Sequence, residues 1–202
     1  PHLPAALDQE FALADELLVI IPLRDPQAAA RRIIGMGLSP QVGWLGLALV
    51  SVLTLLVMRI TLMAFGGEGM LNSAGAMLRH PLWGPLFQAG FILLTALSMV
   101  WGGYVFGGRG RFQDALLLVV WLEFVLTLVA IVQFVALVVW TPLGAIISLL
   151  SIPLFLWLLV SFSAALHGFT NLVAVLCGVI GTFFAVAVLV AILMFFAGLD
   201  PR

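Results

Sequence analysis

The chain reads as five long apolar runs separated by short polar ones. Residues 43–65, 82–106, 115–140, 143–166 and 172–197 each supply the roughly 20 mostly apolar residues that a helix needs to cross a hydrocarbon core of about 30 Å. Only two charged residues, Arg59 and Glu123, fall inside these runs. The third and fourth runs are separated by Trp140-Thr141-Pro142 alone. Proline suits a helix start and disfavours a helix interior, so two spans are predicted there rather than one overlong helix. The links 107–114, 141–142 and 167–171 are short enough to hold neighbouring spans antiparallel and in contact. Residues 66–81, which open on GGEG, read as an irregular external loop. No inverted repeat of the kind common in transporters stands out. The expected architecture is an all-α polytopic membrane protein, with a five-helix bundle over 43–202 and an amphipathic region over 1–42.

Within residues 1–42, Leu7, Phe11, Ala14, Leu18 and Ile21 recur at helical spacing, with Asp8, Asp15 and Glu16 mostly on other faces. Anionic lipid repels such an acidic helix, so it is expected to dock on the bundle or on a partner protein. The acidic start, with no leading Lys or Arg, does not read as a signal peptide. A second, shorter helix is predicted from Asp25 as N-cap and Pro26 at the first position through QAAARRII to Gly35.

Composition narrows the class further. Of 202 residues, 64% are hydrophobic and 8% charged, against roughly 25% charged in soluble domains. That excludes a soluble enzyme, a nucleic-acid binder and a disordered tail. The net charge is −1 and all 8 basic residues are Arg, without the basic surplus that marks nucleic-acid binding. One cysteine, Cys177, excludes intrachain disulfides and Cys-rich metal sites. His2, His80 and His167 lie on different loops and do not converge on a metal or haem. H-E-x-x-H, C-x-x-C, P-loop, G-x-S-x-G and G-x-G-x-x-G patterns are absent. No cofactor and no enzymatic activity are expected.

The loop arginines set an orientation. With the N-terminus cytoplasmic, Arg24, Arg31, Arg32, Arg109 and Arg111 lie inside, and Arg79 and Arg202 outside. Trp44, Trp101 and Tyr104 then mark the inner interface, Trp83 and Trp140 the outer one. The C-terminus is expected on the periplasmic side.

Among the polar residues within the spans, Glu123 lies about 13 Å into its helix, close to mid-membrane. Two readings stand. It is either a hydrogen-bonding group between helices, with Thr54, Ser98 and Thr182 at comparable depth, or a proton- or ion-handling site. Arg59 lies roughly 10 Å nearer the outer side, level with Gln133. It is expected to snorkel outward or be capped by Gln133, with a downward ion pair to Glu123 as the alternative. Ala174, Gly178 and Thr182, and likewise Gly181 and Ala185, form small-residue faces suited to close packing in the bundle or a homodimer seam. Pro153 should kink the fourth span, with Ser148 and Ser151 able to satisfy freed backbone groups.

One stretch is more specific than hydrophobicity. GGYVFGGRGRFQDALLLVVWLEF joins the second and third spans, RDPQAAARRI precedes the first, and SAALHGF ends the fourth. This order resembles bacterial members of the Yip (Ypt-interacting protein) family, over roughly residues 24–190. Those proteins carry a proline-containing amphipathic segment, five spans, a G-G-[KR]-G-x-F turn after span two and an H-G motif after span four. The matching positions here are Gly107, Gly108, Arg109, Gly110 and Phe112, with His167 and Gly168. The resemblance implies a membrane protein of the bacterial cytoplasmic membrane. Eukaryotic relatives bind Rab-type GTPases and act in vesicle traffic and membrane shaping. Their D-L-x-G-P box has no clear counterpart here, since LWGP at 82–85 precedes the second span, and Rab binding is not carried over.

Two functions follow as expectations. The first is a non-enzymatic organiser or scaffold whose Arg31, Arg32, Arg109 and Arg111 form a basic patch against lipid headgroups or a partner protein. A homo-oligomer is compatible with it. The second is a small transporter, channel or lipid-moving protein that uses Glu123.

Overall fold

The computed structural model describes residues 24–65 and 82–196. The predicted helix over 7–21, the loop 66–81, and His2, His80, Arg79 and Arg202 lie outside the described residues. Among the described residues all regular structure is helical: α1 (Pro26–Gly35), α2 (Pro40–Phe65), α3 (Trp83–Val105), α4 (Phe112–Val139), α5 (Thr141–His167) and α6 (Leu172–Phe196). The last five are long and apolar enough to span a membrane. They match the five predicted runs, with α2 and α4 each starting three residues earlier than expected. The α4–α5 break is tighter than predicted. Trp140 alone is extended, at φ −160° and ψ 107°, while Thr141 and Pro142 already open α5.

Close glycine contacts between helices define the topology. A Cβ added at Gly43 would meet Leu116 at 3.5 Å, and one at Gly46 would meet Val120 at 2.8 Å, so the starts of α2 and α4 lie side by side. Gly84 faces Leu55, which sets α3 antiparallel to α2. The starts of α2, α4 and α6 and the ends of α3 and α5 therefore share one end of the bundle. α4 is the central helix, packing on α2, α3 and α5. Its Leu118, Val119 and Leu122 are essentially inaccessible and meet Ile92 of α3 and Phe162 of α5 in the core. α6 packs mainly on α3 and α5, and most of its surface is open. The tryptophans and Tyr104 assigned to the two interfaces are all exposed.

α1 begins as its sequence predicts. The Asp25 carboxylate accepts from the Ala28 N–H at 2.9 Å, and Pro26 occupies the first turn. Its apolar face, Ala29, Ala30 and Ile33, is buried against α4 and α5 at the shared end. Arg31 and Arg32 remain exposed.

Of the small-residue face of α6, Gly178 and Thr182 pack inside the bundle while Ala174 is exposed. A Cβ at Gly178 would meet the Phe106 ring at 3.0 Å, and one at Gly102 would lie 2.6 Å from the Thr182 hydroxyl. Gly181, on the second small-residue face, has open space around it. In α5, helix runs through Pro153, and the Ser151 hydroxyl donates to the Ser148 carbonyl at 2.7 Å.

The α4–α5 corner supplies a direct test. A Cβ at Gly144 would run into the Leu137 side chain and lie 2.9 Å from the Leu137 backbone nitrogen, which has no rotamer through which to escape. Gly144→Ala should lower stability by about 1–3 kcal/mol, read as an earlier thermal unfolding transition in detergent. An unchanged transition would show that the corner is looser than this geometry.

Candidate functional site

The residues at the shared end form one interlocked unit around His167. α5 ends there because Gly168 adopts the left-handed conformation, at φ +73°, and Phe169 N–H reaches back to the Ala164 carbonyl at 2.9 Å. This turn delivers the His167 ring to the end of α3 and the α3–α4 turn. Nδ1 accepts from the Gly110 N–H at 3.1 Å, and Nε2 lies 3.1 Å from the Met99 carbonyl. A backbone amide only donates and a carbonyl only accepts, so the ring is the neutral tautomer with its proton on Nε2.

Three glycines make room for that ring. A Cβ at Gly103 or Gly108 would collide with the imidazole, and one at Gly110 would meet both Leu166 and His167. Gly107 serves a different need, a positive φ of +83°. Phe112 packs against the core, while Arg109 and Arg111 point outward. Phe169 stacks on His167 with ring centroids 5.5 Å apart, and Tyr104 meets it edge-on at 6.4 Å. The G-G-R-G-R-F turn and the H-G pair, some 55 residues apart, are thus the two halves of one contact.

Glu123 is buried where α2, α3 and α4 meet. Its carboxylate accepts a long hydrogen bond, 3.4 Å, from the Gln88 side-chain amide of α3. The three hydroxyls expected to partner it do otherwise. Ser98 donates to the Leu94 carbonyl and Thr182 to the Gly178 carbonyl. The Thr127 hydroxyl donates to the Glu123 carbonyl at 2.8 Å, so the 2.7 Å contact between Thr54 and Thr127 has Thr54 as donor. Glu123, Thr54, Thr61 and Gln133 line a cleft of about 360 Å³ between α2 and α4. Arg59 does not line it.

The Yip1 domain family model matches residues 22–196, nearly the whole chain. The chain belongs to the Yip1 domain family. No significant match appears among curated proteins or among solved structures. The Yip1 domain here gathers its described loop charges at one end. Arg31, Arg32, Arg109 and Arg111 are exposed there with Arg24, against Asp25 and Asp114. Arg31 contacts Gln27 at 3.4 Å and Arg111 contacts Gln113 at 3.5 Å, neighbours that leave both positive charges uncompensated by those bonds.

Sequence reasoning found both halves of the His167 unit but not their union. It missed Gln88, which is legible as a polar residue inside a span although nothing in the sequence aims it at Glu123. It also missed a second cavity, of about 340 Å³, between α3, α5 and α6. Among the described residues no group of His, Cys, Asp and Glu is arranged to hold a metal ion.

A double-mutant cycle tests the His167 contact. Gly103→Ala should cost about 1–3 kcal/mol because the new methyl strikes the ring. In a His167→Ala background that cost should vanish or reverse, since mid-helix Gly→Ala otherwise stabilises by roughly 0.5–1 kcal/mol. Additive effects in thermal or denaturant unfolding would remove the contact from the account.

Proposed function

We propose that this Yip1 domain is a non-enzymatic membrane organiser whose arginine-bearing end engages anionic lipid headgroups or an anionic partner surface. The observation that carries this reading is the concentration of five exposed arginines at one end of the bundle, held there by α1 docking and by the His167-locked turn. The basic end then faces the cytoplasm, as the positive-inside rule requires, in a bacterial cytoplasmic membrane with the C-terminus periplasmic. The rigid turn matters because a fixed array of cations keeps its spacing toward a headgroup layer, whereas a loose loop averages it away. Juxtamembrane arginines near an anionic leaflet contribute about 1 kcal/mol each.

A second reading rests on a different observation. Glu123 lines the α2–α4 cleft with four polar neighbours, Thr54, Thr61, Thr127 and Gln133, and intramembrane carboxylates commonly mark ion or proton paths. In this reading the chain is a small transporter, channel or lipid-moving protein.

Exchanging Arg31, Arg32, Arg109 and Arg111 for Gln together should lower the anionic-lipid content of the shell retained in nanodiscs several-fold, given about 1 kcal/mol per charge. An unchanged lipid composition would sink the organiser reading. Glu123→Gln keeps a hydrogen-bonding group but removes titration. The transport reading expects pH-dependent flux in proteoliposomes to lose its pH dependence; the organiser reading expects no flux in either protein.

A further inference from the structure

The cleft between α2 and α4 is lined by a charged side chain whose protein partners fall short of its needs. Glu123 is only 8% exposed, yet it forms part of the cleft wall. Among the described residues its carboxylate accepts one hydrogen bond, the 3.4 Å contact from Gln88 to Oε2. A buried carboxylate is costly unless it is paired and well hydrogen-bonded. One long contact from a neutral amide does not meet that requirement.

The hydroxyls beside it decide the sign of the missing partner. Thr127 gives its proton to the Glu123 carbonyl, Thr54 to Thr127 Oγ1, and Thr61 to the Val57 carbonyl, all at 2.7–2.9 Å. A hydroxyl has one proton and two lone pairs, so these three threonines are left with acceptor oxygen alone. No cationic side chain lines the cleft. An anion therefore meets neither a positive charge nor a hydroxyl donor there, whereas a cation with N–H groups meets a carboxylate and several lone pairs. Thr127 stands one helical turn from Glu123, a separation of roughly 5–6 Å between Cβ atoms. A single ammonium, reaching about 2.8 Å to each acceptor, spans that distance.

Size and lining favour an organic cation over a metal ion. A cleft of about 360 Å³ falls within the range of small-molecule sites. Val57, Met58, Leu62, Leu126 and Ala130 give it apolar walls. Hard divalent ions take six or more oxygen ligands, but α2 and α4 run as continuous helices here and free no run of carbonyls. An ammonium needs only three acceptors.

We infer that the α2–α4 cleft binds a primary ammonium ion with a compact apolar body, its N–H groups on the Glu123 carboxylate and the Thr54 and Thr127 oxygens. The apolar body lies along the walls toward Thr61 and Gln133, at the end of the bundle opposite the arginines. This deepens the Glu123 reading by naming the ligand, and rests on it for the role of the carboxylate.

Calorimetric titration of the full chain in nanodiscs tests the site, with empty nanodiscs subtracted to remove partition into lipid. The probe is hexylamine, protonated at neutral pH as lysine is. The expected result is saturable binding of one hexylammonium per chain. Hexanol, which lacks the charge, and hexyltrimethylammonium, which lacks the N–H groups, should each bind at least about tenfold more weakly. Glu123→Gln should weaken the probe about tenfold to a hundredfold. Thr54→Val keeps the shape, removes one acceptor and should weaken it about threefold to tenfold. If Glu123→Gln does not fold, Thr54→Val and the two comparator ligands decide.

Unchanged binding by both variants overturns the site. Equal binding of hexanol overturns the cation, equal binding of hexyltrimethylammonium overturns the N–H contacts, and displacement of the probe by equimolar sodium assigns the cleft to a metal ion instead. The transport reading fails separately. Saturable amine binding without flux in proteoliposomes ends that reading and leaves this site, whereas pH-dependent flux without amine binding ends this inference and leaves the transport reading.

Discussion

The two hydrogen bonds of His167 are the constraint on which the basic end of this molecule depends. One side chain at the end of α5 reaches the Met99 carbonyl of α3 and the Gly110 amide of the α3–α4 turn. Both partners are backbone groups, so the arrangement requires a neutral ring and a fixed tautomer. It also requires space that a single extra methyl group would remove. In a bilayer, where helices gain little from burying apolar surface against each other, such directional contacts and close approaches carry much of the specificity of packing.

From that junction the rest of the end follows. The turn is held, so α4 enters the bundle at a set point, with Phe112 inward and Arg109 and Arg111 outward. α1 packs over the neighbouring ends of α4 and α5 and adds Arg31 and Arg32 to the same face. Phe169 continues the aromatic stack into the cavity beneath α6. The far side of the bundle has a different organisation, where Thr54, Thr127, Gln88 and Glu123 tie α2, α3 and α4 through hydrogen bonds.

The spans and their order were legible in the chain because a bilayer makes length and apolarity nearly sufficient: a run of the right length has few alternatives to crossing. Asp25 and Pro26 were equally legible, since capping chemistry is local. The partners of Glu123 were not. Thr54, Ser98 and Thr182 lie at suitable depths, but a serine or threonine in a helix has its own i−4 carbonyl within reach. Gln88, with a longer side chain and no such preference, crosses to α3's neighbour instead. Depth is written in sequence number; rotation about a helix axis in an all-apolar span is not, because no polar stripe marks which face turns inward.

By itself the sequence determined a five-span helical protein, the charges left outside those spans, and two short glycine-containing motifs. Tertiary structure alone decided that those motifs are one contact, that Gly178 and Thr182 of α6 pack in the bundle against Phe106 and Gly102, and that a cavity lies beside them. The physical reason is range. Hydrophobic length and capping are properties of neighbours along the chain, whereas a ring fitting between glycines some 60 residues away exists only once the helices have packed.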